Sequence, residues 1–303
     1  MQLVDRLIAS SLPAVPRPLV RRLADRYMAG EHLTDAVRTV AGLNRRGATA
    51  TVDVLGEFVH DRDQAQATKE EYLGLLDALS RAGLDANISV KLTALGLEVD
   101  PGLCRDLLGA VVGRARELET FVRIDMEHSA VTSQTLAIYR ELREAGHDGV
   151  GVVIQSYLKR SIDDVRALAD LLPRVRLVKG IYVEPAAIAY TDPAEINRSF
   201  VHLLEELMDG GSHVAIATHD ESLVTAAQRL ARERGLDRER YEFQLLLGVK
   251  EQLRDRLIAS GERVRIYVPY GEAWYGYSVR RLKENPSIAG YVARDLLRGV
   301  VRR

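Results

Sequence analysis

Eight short apolar segments rich in β-branched residues recur along the 303-residue chain, and stretches with a helical apolar period separate them. A short apolar run of this composition is typical of a buried β-strand, whereas a period near 3.6 residues indicates an amphipathic helix. The predicted strands begin at Ala48, Asn87, Thr120, Val150, Val175, His213, Tyr241 and Arg263. The predicted helices cover residues 69–82, 101–118, 134–145, 162–172, 197–209, 223–234 and 250–260.

This alternation predicts an α/β fold of the (βα)8 barrel type, in which each strand is followed by a helix. The segments look almost continuously apolar, as expected for parallel strands that are buried on both faces. A doubly wound open sheet is the weaker alternative, because no glycine-rich phosphate loop follows the first strand. We predict an N-terminal helical arm at residues 1–45 and a barrel catalytic domain at residues 46–303.

Charge and cysteine content narrow the class of protein. A formal net charge of −1 gives no electrostatic case for binding nucleic acid. The single cysteine, Cys104, rules out an internal disulfide and a cysteine-rich metal site, and its apolar neighbours indicate a buried thiol. We expect a cytoplasmic protein, because neither a secretory signal nor an apolar stretch of about 18 residues is seen. Peripheral contact with a membrane surface is left as an open alternative, since an amphipathic surface can bind a membrane without spanning it.

Polar residues stand at or near the end of every predicted strand. Active sites of such barrels lie at the carboxyl ends of the strands. Each residue alone has an ordinary structural explanation, but buried charges are costly unless they are paired or bound to something. Their shared position therefore predicts one site. The residues concerned are Glu57, Lys91, Asp125, Glu127, His128, Gln155, Arg176, Lys179, Tyr182, Thr218, His219, Asp220, Gln244 and Tyr267.

The residue types at this end favour binding of a small molecule. Asp125 and Glu127 should face one way and His128 the other, so we expect no metal centre there. No serine, histidine and aspartate stand in an evident triad order. Cations, amides and hydroxyls together indicate a carboxylated or polyanionic ligand, or an organic cofactor.

The stretch GYSVRRLKENP carries a further cluster of charge. In a helix Tyr277, Arg280, Arg281 and Glu284 would share one broad face, which Asn285-Pro286 would end. Such a face is commonly solvated, and an ion pair on it contributes only a few tenths of a kcal/mol. Two neighbouring guanidinium groups can also clamp a carboxylate.

Several segments, in this order, resemble the motifs of the proline dehydrogenase family: KLTALG, RIDMEHS, VIQSYLKRS, RLVKGIY, ATHD, FQLLLG, RIYVPYG and YSVRRLKENP. The resemblance extends over residues 55–286, and the RLVKG and Y-x-x-R-R-x-x-E motifs are specific when they occur together. The length is similar to that of the compact monofunctional bacterial enzymes, without room for an aldehyde dehydrogenase half.

The resemblance implies a distorted (βα)8 barrel with FAD at the carboxyl ends of the strands and the last helix capping the active site. It implies oxidation of L-proline to 1-pyrroline-5-carboxylate, the first step of proline catabolism. FAD would be reoxidised by a membrane quinone, which places the enzyme in the cytoplasm or on the inner face of the cell membrane. Oligomeric state is left open.

The resemblance also assigns roles to individual residues. It places Asp125 and Arg176 in catalysis and Glu57 in a gate over the site. The substrate-binding residues would be Lys91, Leu246, Tyr267, Tyr277, Arg280 and Arg281. The FAD-binding residues would be Met126, Gln155, Arg176, Lys179, Gly180, Ile181, Thr218, His219, Gln244 and Glu284. Ile181 departs from the family pattern, where a small residue is common.

Two other functions compete with this interpretation. One is a Schiff-base aldolase that uses Lys91 or Lys179 as nucleophile, which needs a lysine with a depressed pKa. The other is a non-catalytic barrel in which the arginines hold the carboxylate of an amino acid.

Overall fold

Eight parallel strands form a closed barrel in which each strand pairs with the next in sequence and β8 pairs with β1. The computed structural model describes residues 26–56 and 58–275. The strands are β1 (Thr49–Val54), β2 (Ala86–Val90), β3 (Val122–Ile124), β4 (Val150–Gln155), β5 (Arg174–Val178), β6 (His213–Ala217), β7 (Tyr241–Leu246) and β8 (Val264–Tyr270). The predicted barrel and all eight strands are confirmed.

Among residues 26–56 and 58–275, seven α-helices connect successive strands, and the helix Leu33–Asn44 lies before the first strand. They are α1 (Leu33–Asn44), α2 (Arg62–Arg81), α3 (Pro101–Glu117), α4 (Ser129–Glu144), α5 (Ser161–Ala167), α6 (Pro193–Asp209), α7 (Glu221–Glu233) and α8 (Glu251–Ala259). Within the described residues no helix is long and apolar enough to cross a membrane. The predicted capping helix after β8 lies outside the described residues.

Several helices begin earlier than predicted, because their first turns are polar and escape an analysis of apolar period. Aspartate side chains mark the true starts. Asp61 accepts a hydrogen bond from the Gln64 backbone at 2.8 Å, and Asp192 caps α6. These side chains satisfy N–H groups that lack partners in the first turn. The predicted helix 162–172 is shorter, since α5 ends at Ala167 and a 3-10 turn follows at Ala169–Leu171.

Helix α1 contributes to the same core as the barrel. Its buried residues Ala36, Val40 and Leu43 belong to the cluster that contains the strands, and the helix contacts β1 and β8. The described part of the predicted N-terminal arm therefore shares the core of the barrel. A boundary at residue 45 stays a prediction.

The expectation of continuously apolar strands is wrong for the face that points into the barrel. Arg176 on β5 reaches Ser89 on β2, and Tyr267 on β8 reaches Asp125 after β3. The two strands that each contact joins are not neighbours in the barrel, so the side chains meet inside. Alternate residues point to opposite faces, and the intervening ones, such as Ile266, are buried and apolar. Polar residues inside can exist because ion pairs and hydrogen bonds compensate for the loss of water.

Candidate active site

A cavity of about 680 Å³ lies at the carboxyl ends of the strands, a volume typical of small-molecule and cofactor sites. Sixteen residues predicted from the sequence lie on its wall: Lys91, Asp125, Met126, Glu127, Gln155, Arg176, Lys179, Gly180, Ile181, Tyr182, Thr218, His219, Asp220, Gln244, Leu246 and Tyr267. The structure brings these residues together, although they come from seven different strands or the loops that follow them. Of the other predicted site residues, Glu57, Tyr277, Arg280, Arg281 and Glu284 lie outside the described residues.

Two carboxylates and two cations form the charged wall of the cavity. Lys91 Nζ lies 2.5 Å from Asp53 Oδ1 and 3.8 Å from Asp125 Oδ2. Arg176 Nη1 lies 2.6 Å from Asp125 Oδ1. The formal charges of these four groups cancel. An anionic ligand that approaches this wall therefore meets cations that already have partners.

The ion pair with Asp53 determines the protonation state of Lys91. Burial alone would lower the pKa of Lys91, but the Asp53 carboxylate raises it well above its ordinary value. A lysine that forms a Schiff base must lose its proton to become a nucleophile. The structure therefore disfavours the aldolase alternative at Lys91. Lys179, the other candidate, is also in an ion pair, with its Nζ 2.8 Å from Asp220 Oδ2.

Arg176 is held from three sides at the cavity wall. Its Nε donates to Gln244 Oε1 at 2.6 Å, and its Nη1 donates to Asp125 and Ser89. The guanidinium carbon lies 5.2 Å from the centre of the Tyr267 ring, a cation–π contact. Its Nη2 is buried and has no hydrogen-bond partner among the described residues. A buried donor without an acceptor is costly, so this atom marks a place for a ligand acceptor.

Asp125 holds two hydroxyl groups in place near Arg176. It accepts from the Tyr267 hydroxyl at 2.9 Å and from the Ser89 hydroxyl at 2.7 Å. Burial and the Asp125 charge raise the pKa of Tyr267 well above its ordinary value. Tyr267 is thus a neutral hydrogen-bond donor whose ring faces the cavity.

Gly180 follows β5 in a conformation that side chains rarely adopt. Its φ is +112°, and a Cβ atom placed there would lie 2.2 Å from a ring carbon of Tyr157. Only glycine allows the backbone to pass this close to the ring. The turn brings Lys179, Gly180 and Ile181 to one side of the cavity.

The remaining polar wall is also ordered by local contacts. Gln155 donates to the Glu127 carbonyl at 2.9 Å, and His219 Nε2 accepts from the Leu246 backbone at 3.0 Å. The Thr218 hydroxyl accepts from the Asp220 backbone at 3.1 Å. These bonds fix amide, imidazole and hydroxyl groups at the ends of two strands, β4 and β6.

Aromatic side chains meet at the edge of the site. The Phe58 ring stacks on His128 at a centroid distance of 5.9 Å, and Tyr182 contacts His128 edge-on at 6.3 Å. His128 is the residue before α4, and it does not lie on the cavity wall, in contrast to Asp125 and Met126. Ile181, which departs from the family pattern, is 42% exposed.

Three residues that matter here were not predicted from the sequence: Asp53, Ser89 and Glu242. Asp53 pairs with Lys91, Ser89 bonds to Asp125 and Arg176, and Glu242 bonds to Gln244. The sequence did indicate these residues, because polar residues recur at every second position along these strands. Such spacing places them on one face of a strand, here the inner face.

Comparisons with known proteins identify the family to which the chain is similar. A sequence model described as "Proline dehydrogenase" matches residues 36–294. "Proline dehydrogenase 1" of Bacillus subtilis subsp. natto is 36% identical over 275 residues, which cover 91% of this chain and 91% of that protein. "Proline dehydrogenase" of Deinococcus radiodurans is 35% identical, and the match covers 98% of this chain and 100% of that protein.

A solved structure shows a similar fold. Proline utilization A (PutA) from Bdellovibrio bacteriovorus, inactivated by N-propargylglycine, is 27% identical with a TM-score of 0.83. The match covers 88% of this chain, which spans 33% of that larger protein. The family match and the identities of 35% to 36% over most of the length lead to one conclusion. The chain belongs to the proline dehydrogenase family.

Proposed function

We propose that this protein oxidises L-proline to 1-pyrroline-5-carboxylate, the first step of proline catabolism, with FAD as electron acceptor and a quinone as the acceptor that reoxidises it. The observation that carries the proposal is the meeting of family motifs in one cavity. Thirteen residues to which the resemblance assigns a role line one cavity, and three of them form, with Asp53, a cluster of four charges without net charge.

The residues at the cavity fit a flavin cofactor. Arg176 Nη2 lacks an acceptor among the described residues, and the flavin ring and phosphates are rich in acceptors. The close passage of Gly180 over Tyr157 leaves backbone rather than side chain beside Lys179. When bound, FAD supplies the acceptor for two electrons and a hydrogen. The residues that would hold it are Met126, Gln155, Arg176, Lys179, Gly180, Ile181, Thr218, His219, Gln244 and Glu284.

The residues assigned to substrate binding match the chemical groups of proline. Proline offers one carboxylate, one ammonium and an apolar ring. Arg280 and Arg281, from the sequence motif, would clamp the carboxylate by charge-assisted bonds, with Lys91 beside them. Tyr267, Tyr277 and Leu246 would pack against the ring.

Asp125 serves this reaction by holding two groups in place. It orients the Tyr267 hydroxyl and the Arg176 guanidinium, so the substrate wall and the cofactor wall share one anchor. Preorganised contacts of this kind reduce the cost of bringing reactants into register. Overall the substrate loses a hydride from C5 and a proton from nitrogen, which leaves the carbon–nitrogen double bond.

Exposed apolar residues at the carboxyl end of the barrel support contact with an apolar partner, such as a quinone at a membrane surface. Six large apolar side chains are exposed in the described chain. Five lie on loops that follow strands at the carboxyl end of the barrel: Phe58, Val99, Ile181, Val183 and Ile188. We propose a cytoplasmic enzyme that binds the inner face of the cell membrane peripherally. Glu57, next to Phe58, would be the gate.

The first experiment is an absorbance spectrum of the purified protein before and after anaerobic addition of L-proline. Flavin bands that bleach with L-proline and stay unchanged with D-proline support the proposal. D-Proline is the matched control, because it has the same groups in mirror-image arrangement. Flavin bands that L-proline does not bleach would refute the substrate, and absence of flavin after reconstitution with FAD would refute the cofactor. A covalent lysine adduct after borohydride treatment with a carbonyl substrate would instead favour aldolase chemistry.

A further inference from the structure

A chain of hydrogen bonds leads from the cavity wall to a glutamate that does not line the cavity. Arg176 Nε donates to Gln244 Oε1 at 2.6 Å, and Gln244 Nε2 donates to Glu242 Oε1 at 2.6 Å. We propose that Glu242 is a positioning residue that acts through the Gln244 amide to hold Arg176 with its Nη2 toward the cofactor. The inference rests on the proposed function, because it assigns Arg176 to the flavin.

The proposal depends on the orientation of the Gln244 side-chain amide. A glutamine amide has an oxygen and a nitrogen end of almost the same shape, so neighbouring groups decide which way it points. An ionised carboxylate accepts hydrogen bonds and cannot donate them. Glu242 therefore turns the nitrogen of Gln244 toward itself and leaves the oxygen for Arg176. A flipped amide would place two donors, from Gln244 and Arg176, against each other.

The guanidinium depends on this contact for its orientation. Asp125 and Ser89 hold Nη1, while Gln244 holds Nε. Two fixed edges determine the plane of the group, and its Nη2 is the donor left without a partner among the described residues. If the hydrogen bond from Nε to Gln244 were lost, the guanidinium group of Arg176 would be free to rotate about its contact with Asp125.

The surroundings of Glu242 keep it ionised. Arg265 Nε donates to its two oxygens at 2.9 and 3.1 Å. The Glu242 charge also interacts with His213 on the neighbouring strand β6 and with Arg174 on β5 and Arg123 on β3. Burial raises the pKa of Glu242, but the Arg265 charge and the hydrogen bonds lower it to about 2. Its role as an acceptor thus persists over the range of pH in which enzymes are assayed.

The test compares Glu242→Gln with a matched control, Glu262→Gln. Glu262 also accepts from a glutamine amide, that of Gln228 at 2.9 Å, but has no contact with Arg176. The measurements are the Kd for FAD, by titration of the apoprotein, and the midpoint potential of the bound flavin. We expect Glu242→Gln to raise the Kd about tenfold, the effect of losing one hydrogen bond in a charged network. The potential should shift as well, and both quantities should be unchanged in Glu262→Gln.

A second variant at position 242 distinguishes a positioning role of Glu242 from a general structural effect of its replacement. The conservative variant Glu242→Asp keeps a carboxylate, which accepts but does not donate, beside the Gln244 amide. It should retain most of the affinity for FAD that Glu242→Gln loses. If Glu242→Gln does not fold, Glu242→Gln with Arg265→Met removes both charges together and is expected to show the same rise in Kd.

The outcomes distinguish the inference from the function on which it rests. A folded Glu242→Gln variant with wild-type Kd and potential would overturn the inference and leave the proposed function intact. Wild-type protein that binds no FAD would overturn both. An equal loss of affinity in Glu262→Gln would show a general effect of removing acidic residues and would also overturn the positioning role.

Discussion

Replacement of Gly180 by alanine tests how closely the cavity wall is packed. The φ of Gly180 is +112°, and an added Cβ would lie 2.2, 2.3 and 2.7 Å from three ring atoms of Tyr157. Real Cβ contacts at these distances essentially do not occur. One of the three atoms is Cγ, where the ring joins the rest of the side chain, so Tyr157 cannot yield by moving only the far end of its ring.

The magnitude has two parts. A backbone conformation unsuited to L-residues costs about 1–3 kcal/mol. Overpacking of a filled site costs roughly another 1–3 kcal/mol. We therefore expect Gly180→Ala to lower the free energy of unfolding by about 4 kcal/mol. Such a loss is a large part of the stability of an ordinary domain.

Two other glycines serve as controls. Gly83 has a φ of +61° with no atom within 4 Å of an added Cβ, so Gly83→Ala should show only the backbone cost, about 1 kcal/mol. Gly109, inside α3, also has open space, and Gly109→Ala should stabilise the protein by roughly 0.5–1 kcal/mol.

Urea unfolding of the three variants at neutral pH provides the measurement, and flavin content after purification gives a second one. Gly180→Ala should be the least stable variant and should carry the least flavin. If Gly180→Ala were no less stable than Gly83→Ala, the close approach to Tyr157 would not exist and the reasoning would be refuted.

Three further predictions concern charge and pH. Arg281→Met should raise the KM for L-proline sharply while circular dichroism shows an intact fold; an unchanged KM would remove Arg281 from the clamp. Arg176→Met should destabilise the protein by about 3–5 kcal/mol in urea unfolding, because it removes one partner of a buried ion pair; a loss below 1 kcal/mol would argue against this pair. Burial lowers the pKa of His213 from 6.5 to about 4, so the unfolded state binds the proton first and stability should fall as pH drops through this range. The loss between pH 6.5 and 5 is about 1.5 kcal/mol, and His213→Gln should abolish it; an equal pH slope in the variant would exclude His213 as the cause.

The order of strands and the end of the barrel that carries the site could be predicted from the sequence. Apolar β-rich segments that alternate with amphipathic helices predict a parallel sheet covered by helices, because each apolar face must be covered by a neighbour. The eight strands, and the lack of a glycine-rich phosphate loop after the first one, favoured a closed barrel over a doubly wound sheet. Residues such as Gln155 and His219 stand next to strand ends in the sequence, and parallel strands bring their carboxyl ends to one edge. Their meeting in one cavity therefore required no knowledge of side-chain positions.

The interior of the barrel could not be predicted as well. Asp53 and Glu242 each stand in strands whose apolar residues dominate the pattern, and nothing local says which carboxylate meets which cation. Lys91 illustrates the consequence, because in the sequence it looks like a free cation for a substrate. In the structure it lies 2.5 Å from Asp53.

The sequence by itself determined the fold and the list of chemical groups at the site, because the period of apolar residues and the identity of strand ends are local properties. Only the tertiary structure decided how those groups are paired. Asp125 joins Ser89, Arg176 and Tyr267, which come from three strands that are not neighbours of one another in the barrel. The strength and the orientation of such contacts depend on distances across the barrel. Those distances arise when the sheet closes, since closure brings together residues far apart in the chain.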